Sequence, residues 1–182
     1  MFLVVATLAT LSAVAQTKTY KVGDLYEEAG RRGVVFEVSD GGSHGKIVSV
    51  EQTPDWLNWS LKSVRETRLN ATSKTDGQTN TAKVYAQPDW QQNYPLYAWC
   101  ASLPGEGWYV PAIDELMALV AVRDVVNATL AKVGAKKLYY YLWSSTEHAE
   151  AASNAWIVDT YYPQRYNHKK SGLDNARAVA RF

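Results

Sequence analysis

The stretch Gly107-Trp108-Tyr109-Val110-Pro111-Ala112-Ile113-Asp114-Glu115-Leu116 constrains this chain more than any other, because it reads as a buried aromatic turn that launches a helix. Pro111 stands just before the helical pattern, where its missing N–H costs nothing and its fixed φ suits a first turn. Asp114 and Glu115 fall in that first turn, where carboxylates complement the positive end of the helix dipole. Leu116, Leu119, Val120 and Arg123 follow at i, i+3, i+4 and i+7, an apolar stripe closed by a cation. Such a stretch is scaffold. It speaks to the fold and not to a ligand.

Flanking it, the pattern predicts a helix from about Tyr94 to Leu103, with Pro95 near its start and Pro104-Gly105 past its end. Val122 to Val133 continues as helix or as a second helix, stopped by Gly134, with Lys132 suiting the negative end. Cys100 is the only cysteine, which excludes an internal disulfide. Its helical spacing with Leu96 and Leu103 makes it a core residue rather than a nucleophile.

On the N-terminal side, Val34 to Val38 and Lys46 to Val50 read as strands, and Ser39-Asp40-Gly41-Gly42-Ser43-His44-Gly45 supplies the glycines of a hairpin turn, with His44 a solvated tip residue. Glu51 to Gln92 is polar, with Trp56, Trp59 and Trp90 read as anchors pinning long loops in preference to an exposed stacking surface for sugars, and Asn70 to Thr81 has loop composition. Beyond Gly134 the chain reverts to strands at Leu138–Thr146, Ala155–Asp159 and Arg177–Phe182. Between the last two, Thr160 to Lys170 reads as a loop rich in Tyr, Arg and His, the residue types that build recognition surfaces at low entropic cost.

Residues 1–15 form a short apolar run closed by Ala13-Val14-Ala15. Though it lacks the usual basic start, this is the pattern of a secretory signal peptide. It places the mature start near Gln16 and the protein in the periplasm, at the cell surface or outside the cell, with 16–182 as a single domain. The formal charge of +1 makes no global case for nucleic acid or a membrane surface. Residues 134–182 carry seven basic and four acidic side chains, a solvated face. Seven Trp and twelve Tyr are many for 182 residues and suit a loop-rich fold pinned by large rings, some of them available for contact.

Taken together, Asp76-Gly77 with Asn80-Thr81, Tyr94-Pro95, Cys100, Gly107 to Pro111 with Glu115-Leu116, Trp143-Ser144-Ser145-Thr146-Glu147, Ala155-Trp156 and the terminal Arg177-Ala178-Val179 resemble a bacterial domain family. It is the family related to the C-terminal domain of collagen-like adhesins. The resemblance covers about Asp76 to Phe182, and Tyr20 to Val50 more loosely. It implies an α+β, C-type-lectin-like fold with two main helices on short antiparallel strands, and a ligand face near the C-terminal strands.

Gln87-Pro88-Asp89 matches the tripeptide of calcium-dependent sugar-binding members, but it precedes both helices and no Trp-Asn-Asp follows, so no calcium site of that kind is expected. A second resemblance is to target proteins of diversity-generating retroelements, in which adenine-directed mutation varies the binding face. His148, Ala149, Ala151, Ser153, Tyr161, Tyr162, Arg165, Tyr166 and His168 are residue types such mutation reaches. Both an ordinary family member with a polar loop and a diversified receptor accommodate them.

The three histidines, at 44, 148 and 168, have no zinc-ligand spacing, and no nucleophile, base and orienting partner or phosphate-cradling glycine motif stands out. Formylglycine-generating enzymes share the broad fold, but their chemistry needs a cysteine pair that this chain lacks. The expectation is therefore a binding module without catalytic residue, metal or cofactor. It would recognise a protein or glycan on an external surface, with no nucleic acid partner and no membrane span. The expected ligand face is Tyr141, Glu147, His148, Ser153, Tyr161, Tyr162, Arg165, Tyr166 and His168. The alternative is a structural subunit of a surface assembly, such as a pilus tip.

Overall fold

The computed structural model describes residues 18–182, so the leader read at 1–15 lies outside the described residues. The elements run β1 (Leu25–Glu28), β2 (Arg31–Ser39), β3 (His44–Ser49), α1 (Gly77–Tyr85), α2 (Trp90–Asn93), α3 (Pro95–Ala101), α4 (Ile113–Ala121), α5 (Arg123–Lys132), β4 (Tyr141–Glu147), β5 (Asn154–Asp159), β6 (Gln164–Lys169) and β7 (Val179–Arg181). They make a mixed α+β structure with two small antiparallel sheets, ordered β1-β2-β3-β7 and β4-β5-β6.

The centre of the first sheet is buried on both faces, which explains the continuous apolar run in β2. Val35, Ile47, Ala178 and Ala180 join an aromatic layer of Trp59, Tyr94, Tyr97 and Trp108. Val34, Phe36, Val48 and Val179 meet Leu116, Leu119, Val126 and Leu130 of α4 and α5. Alternation along each strand thus feeds two cores, both apolar. The expected hairpin is present, with Ser39 opposite His44, a short 3-10 turn at Asp40–Gly42 and an irregularity between Val35 and Glu37. Cys100 lies fully buried in the aromatic core, which pushes its thiol up to about 12.

Four expectations are corrected. First, among the described residues five helices form where two main ones were expected. The polar run Asn70–Thr81, read as loop, becomes helix from Gly77 onward. Its buried residues are Gly77, Asn80, Thr81 and Val84, and the two polar ones lie inside because their side chains bond Ser73 and Val110, a burial that hydropathy cannot register. Second, the stripe closing at Arg123 is not one helix: Val122 (φ −111, ψ 17) separates α4 from α5, and Arg123 opens the second. Third, the strand predicted from Leu138 starts only at Tyr141, because Tyr140 has φ 66. Fourth, the Thr160–Lys170 loop contains β6, whose polar side chains hide a strand made by full backbone pairing with β5.

Helix α1 starts at Asp76, whose carboxylate accepts from the Thr79 N–H at 3.0 Å and the Thr79 hydroxyl at 2.7 Å. Those two bonds, the backbone one first, hold the Asp76 carboxyl below its ordinary 3.8. Replacing it by Ala should cost about 1 kcal/mol in a urea titration. A depressed carboxylate lends stability that is present above 3.8 and fades as pH falls through the lower folded value. The gap between the wild type and Asp76→Asn should therefore narrow below that pH; a constant gap would remove the charge from the cap.

Candidate functional site

The second sheet carries the candidate site, and its own core explains how it is held. Strand β4 pairs with β5 through Tyr141 and Asp159, Leu142 and Val158, Trp143 and Ile157. Strand β6 continues the rows with Tyr166 opposite Ile157 and Arg165 opposite Val158. Side chains alternate between faces. Leu142 and Val158 turn to α4, whereas Tyr141, Trp143, Ile157, Asp159 and Tyr166 share the other face. The connection 51–60 is tied along this sheet: the Trp143 indole donates to the Leu57 carbonyl at 2.8 Å and the Trp59 indole to the Ser144 carbonyl at 3.0 Å. Trp59 is therefore the anchor expected of it, Trp90 packs half-buried on Tyr85 with centroids 4.3 Å apart, and Trp56 is not an anchor, being 60% exposed.

Trp56 instead joins a row of exposed rings. Tyr139, Tyr140, Tyr141, Tyr161, Tyr162 and Tyr166 are all exposed, Tyr140 at 70%. Two open cavities share Tyr140 and Tyr141 as their common wall. One, of about 470 Å³, lies between Trp56 and Tyr166, with His168, Asp174 and Asn175 among its lining. The other, of about 450 Å³, is lined by Tyr139 to Tyr141, Asp159, Tyr161 and Tyr162. Tyr166 meets Tyr141 edge-on at 5.9 Å, and Tyr161 meets Tyr162 edge-on at 4.7 Å. Tyr140 adopts a left-handed conformation, uncommon for an aromatic residue and costing of order 1–3 kcal/mol. Its carbonyl is held there by the Thr160 N–H at 3.1 Å and hydroxyl at 2.9 Å. This turn carries the ring out between the two cavities.

Of the nine expected site residues, five come together here: Tyr141, Tyr161, Tyr162, Tyr166 and His168. His168 stacks on Trp143 at 5.4 Å, and its Nδ1 lies 2.6 Å from Asp174 Oδ2. Burial pushes the Asp174 carboxyl above its ordinary value, opposed by the hydrogen bond from His168. The other four residues stand elsewhere. Arg165 is on the opposite face of β6 and pairs with Asp114 of α4 at 2.8 Å. His148 leans on Trp156 at 5.0 Å, and its Nδ1 accepts from the Glu150 and Ala151 N–H groups, a turn-forming role that puts any ring hydrogen on Nε2. Ser153 is half-buried at the far end of the sheet, bonded to Asn154.

Glu147 is inside. Its carboxylate accepts from the Leu69 and Ala71 N–H groups and pairs with the fully buried Lys170, whose ammonium also lies 4.7 Å from the Trp59 ring centroid. Burial holds the Lys170 ammonium below its ordinary pKa, with Glu147 opposing. A charge so enclosed has no reach to a ligand, and it works by tying the connection at Leu69–Ala71 to β4.

The residues missed from sequence are Trp56, Tyr139, Tyr140 and Asp159. The available signal was three consecutive tyrosines at 139–141: alternation along a regular strand would turn one of them to the other face, so their joint exposure requires a break in the strand.

Among the described residues, no group of three or more His, Cys, Asp or Glu side chains could hold a metal ion, and no helix is long and apolar enough to cross a membrane. No protein-family model matches the chain, and no curated protein matches it.

Proposed function

We propose that the chain is a non-catalytic ligand-binding module of the cell envelope or the secreted space, with a C-type-lectin-like arrangement, recognising a protein or glycan through the aromatic face of β4–β6. The observation carrying this reading is the continuous row of exposed rings from Trp56 through Tyr140 to Tyr162. Tyrosine and tryptophan present large contact area with few rotors to freeze, and a contiguous exposed aromatic patch marks an interaction site. The strained turn at Tyr140 supports it, since strain concentrates where a side chain must be presented to a partner.

Protein and glycan arrays test the reading. The wild type should capture a ligand that the triple variant Trp56→Ala, Tyr140→Ala and Tyr166→Ala loses by about 100-fold or more, as hot-spot aromatics do. Because all three rings are exposed, the variant should unfold within about 1 kcal/mol of the wild type. Undiminished capture by a folded triple variant would refute the placement. The retroelement version of the proposal concerns the same strands. Tyr161, Tyr162, Tyr166 and His168 lie on the aromatic face, whereas His148, Ala149 and Ala151 surround the turn after β4, so diversification would vary two separate patches. Sequencing residues 139–182 across one strain lineage reads it out.

A further inference from the structure

We propose that the cleft over Asp159 binds an organic ammonium ion, a quaternary or alkylated one above all. This rests on reading the aromatic face as a ligand surface, and narrows what one half of it takes. Tyr139, Tyr140, Tyr141, Tyr161 and Tyr162 surround an opening of about 450 Å³. Each ring offers a negative π-face to a cation within about 6 Å of its centroid. At the floor stands a carboxylate, Asp159, only 9% exposed. Its Oδ1 accepts from the Tyr161 N–H at 2.8 Å and the Tyr162 N–H at 3.1 Å, an arrangement that shapes the turn between β5 and β6.

Among the described residues, no cation pairs with that carboxylate. Arg123, which lines the adjoining cavity with Tyr161, is occupied by the Thr160 and Tyr161 carbonyls and by Asp124. A largely buried carboxylate among rings is costly without a countercharge, so the cleft is complementary to a positive group entering from solvent.

The chemistry also selects among ligands. An anion would meet the carboxylate, and the cations Arg123 and Lys137 line the adjoining cavity beyond Tyr139 and Tyr161 and not this cleft. A neutral sugar would find richer partners in the neighbouring groove, where Asn167, Asn175 and His168 stand. A primary ammonium is strongly hydrated, whereas an alkylated one sheds water readily onto aromatic walls.

Calorimetric titration of the chain with choline chloride at low ionic strength tests this, beside 3,3-dimethylbutan-1-ol, which has the same shape without the charge. Choline should bind saturably and the alcohol should not. Asp159→Asn, which keeps an oxygen for the two turn N–H groups, should weaken choline about tenfold. So should the double variant Tyr161→Leu and Tyr162→Leu, whose exposed positions leave the circular dichroism unchanged. Flotation with phosphatidylcholine vesicles, against phosphatidylglycerol ones, separates the two sources of the group. Co-flotation with the first alone points to a lipid headgroup, and binding of free choline without it to a soluble or peptide-borne ammonium; both support the cleft.

The proposal is overturned if choline does not saturate, if the alcohol binds equally, or if both variants bind choline as the wild type does. Should choline fail while an array ligand is still lost on replacing Trp56, Tyr140 and Tyr166, the cation assignment falls and the binding face stands. Loss of neither sinks the binding face as well.

Discussion

Replacing Lys170 by Met should destabilise the protein by about 3–5 kcal/mol, one of the two largest effects expected of any single side chain here. Lys170 is fully buried, and its ammonium lies 2.5 Å from Glu147 and 3.1 Å from the Thr67 carbonyl. Met fills much the same volume, so packing changes little and the loss is electrostatic: the Glu147 carboxylate stays enclosed with only amide donors to answer it. Removing one partner of a buried pair costs far more than the pair itself contributes. The double variant Glu147→Gln and Lys170→Met should accordingly lose less than Lys170→Met alone, because the Gln oxygen can still accept from Leu69 and Ala71. Urea unfolding of the four proteins measures this as a cycle. A single Lys170→Met loss under about 1 kcal/mol would mean that the pair is not the charged tie inferred.

Glu115→Ala should cost a comparable about 3–5 kcal/mol, on different grounds. Glu115 is 3% exposed, and its carboxylate accepts from the Ala112 N–H at 2.9 Å, the Gly77 N–H at 3.1 Å and the Tyr109 hydroxyl at 2.9 Å, with Lys46 at 3.3 Å. Truncation leaves three buried donors without an acceptor and opens a void where α1, α4 and the Tyr109 segment meet. Burial, with Glu115 adding to it, pushes the Tyr109 hydroxyl well above its ordinary pKa, so it remains a donor throughout the working range. Gly77 belongs to the same junction: a Cβ there would stand 2.5 Å from both the Ala112 nitrogen and the Val110 carbonyl. Glu115→Gln, which keeps an acceptor for two of the donors, should lose roughly half as much as Glu115→Ala. Equal losses for both would make the charge, and not the hydrogen-bond count, the deciding quantity.

The candidate site was legible where composition carried it and illegible where geometry did. Tyr161, Tyr162, Tyr166 and His168 were read from a stretch rich in recognition-type residues, and they do share one face. Arg165 came from the same stretch and turns away, because side chains alternate along β6 and no strand was expected there. Glu147, just past the strand read at Leu138–Thr146, was expected on the ligand face. Its burial depends on Lys170, which is 23 residues on in the chain and brought opposite only when β6 returns along β5. Trp56 is a loop residue by every local criterion. Its place beside Tyr140 follows from the backbone pairing of Leu57 with Asp174.

In the fold, the local signals held where a single periodicity ruled. The β2–β3 hairpin, α3, α4 and the final strand follow from alternation, from glycines at the turn, and from Pro95 and Pro111 at helix starts, all properties of adjacent residues. Even α4, the best-marked helix, takes its start from far away: the Ile113 N–H is capped by the Thr146 hydroxyl of β4 at 3.1 Å, and the Asp114 N–H by the Lys74 carbonyl at 2.8 Å. Tertiary structure alone decided the rest. Helix α1 buries Asn80 and Thr81 beside Val84, β6 exists through its neighbour's backbone, and Glu115 and Glu147 became interior junctions instead of surface charges. Hydropathy reports the cost of burying a side chain alone, whereas a buried polar group is decided by its partner, and for Glu115 and Glu147 the partners Gly77, Leu69 and Lys170 lie tens of residues away.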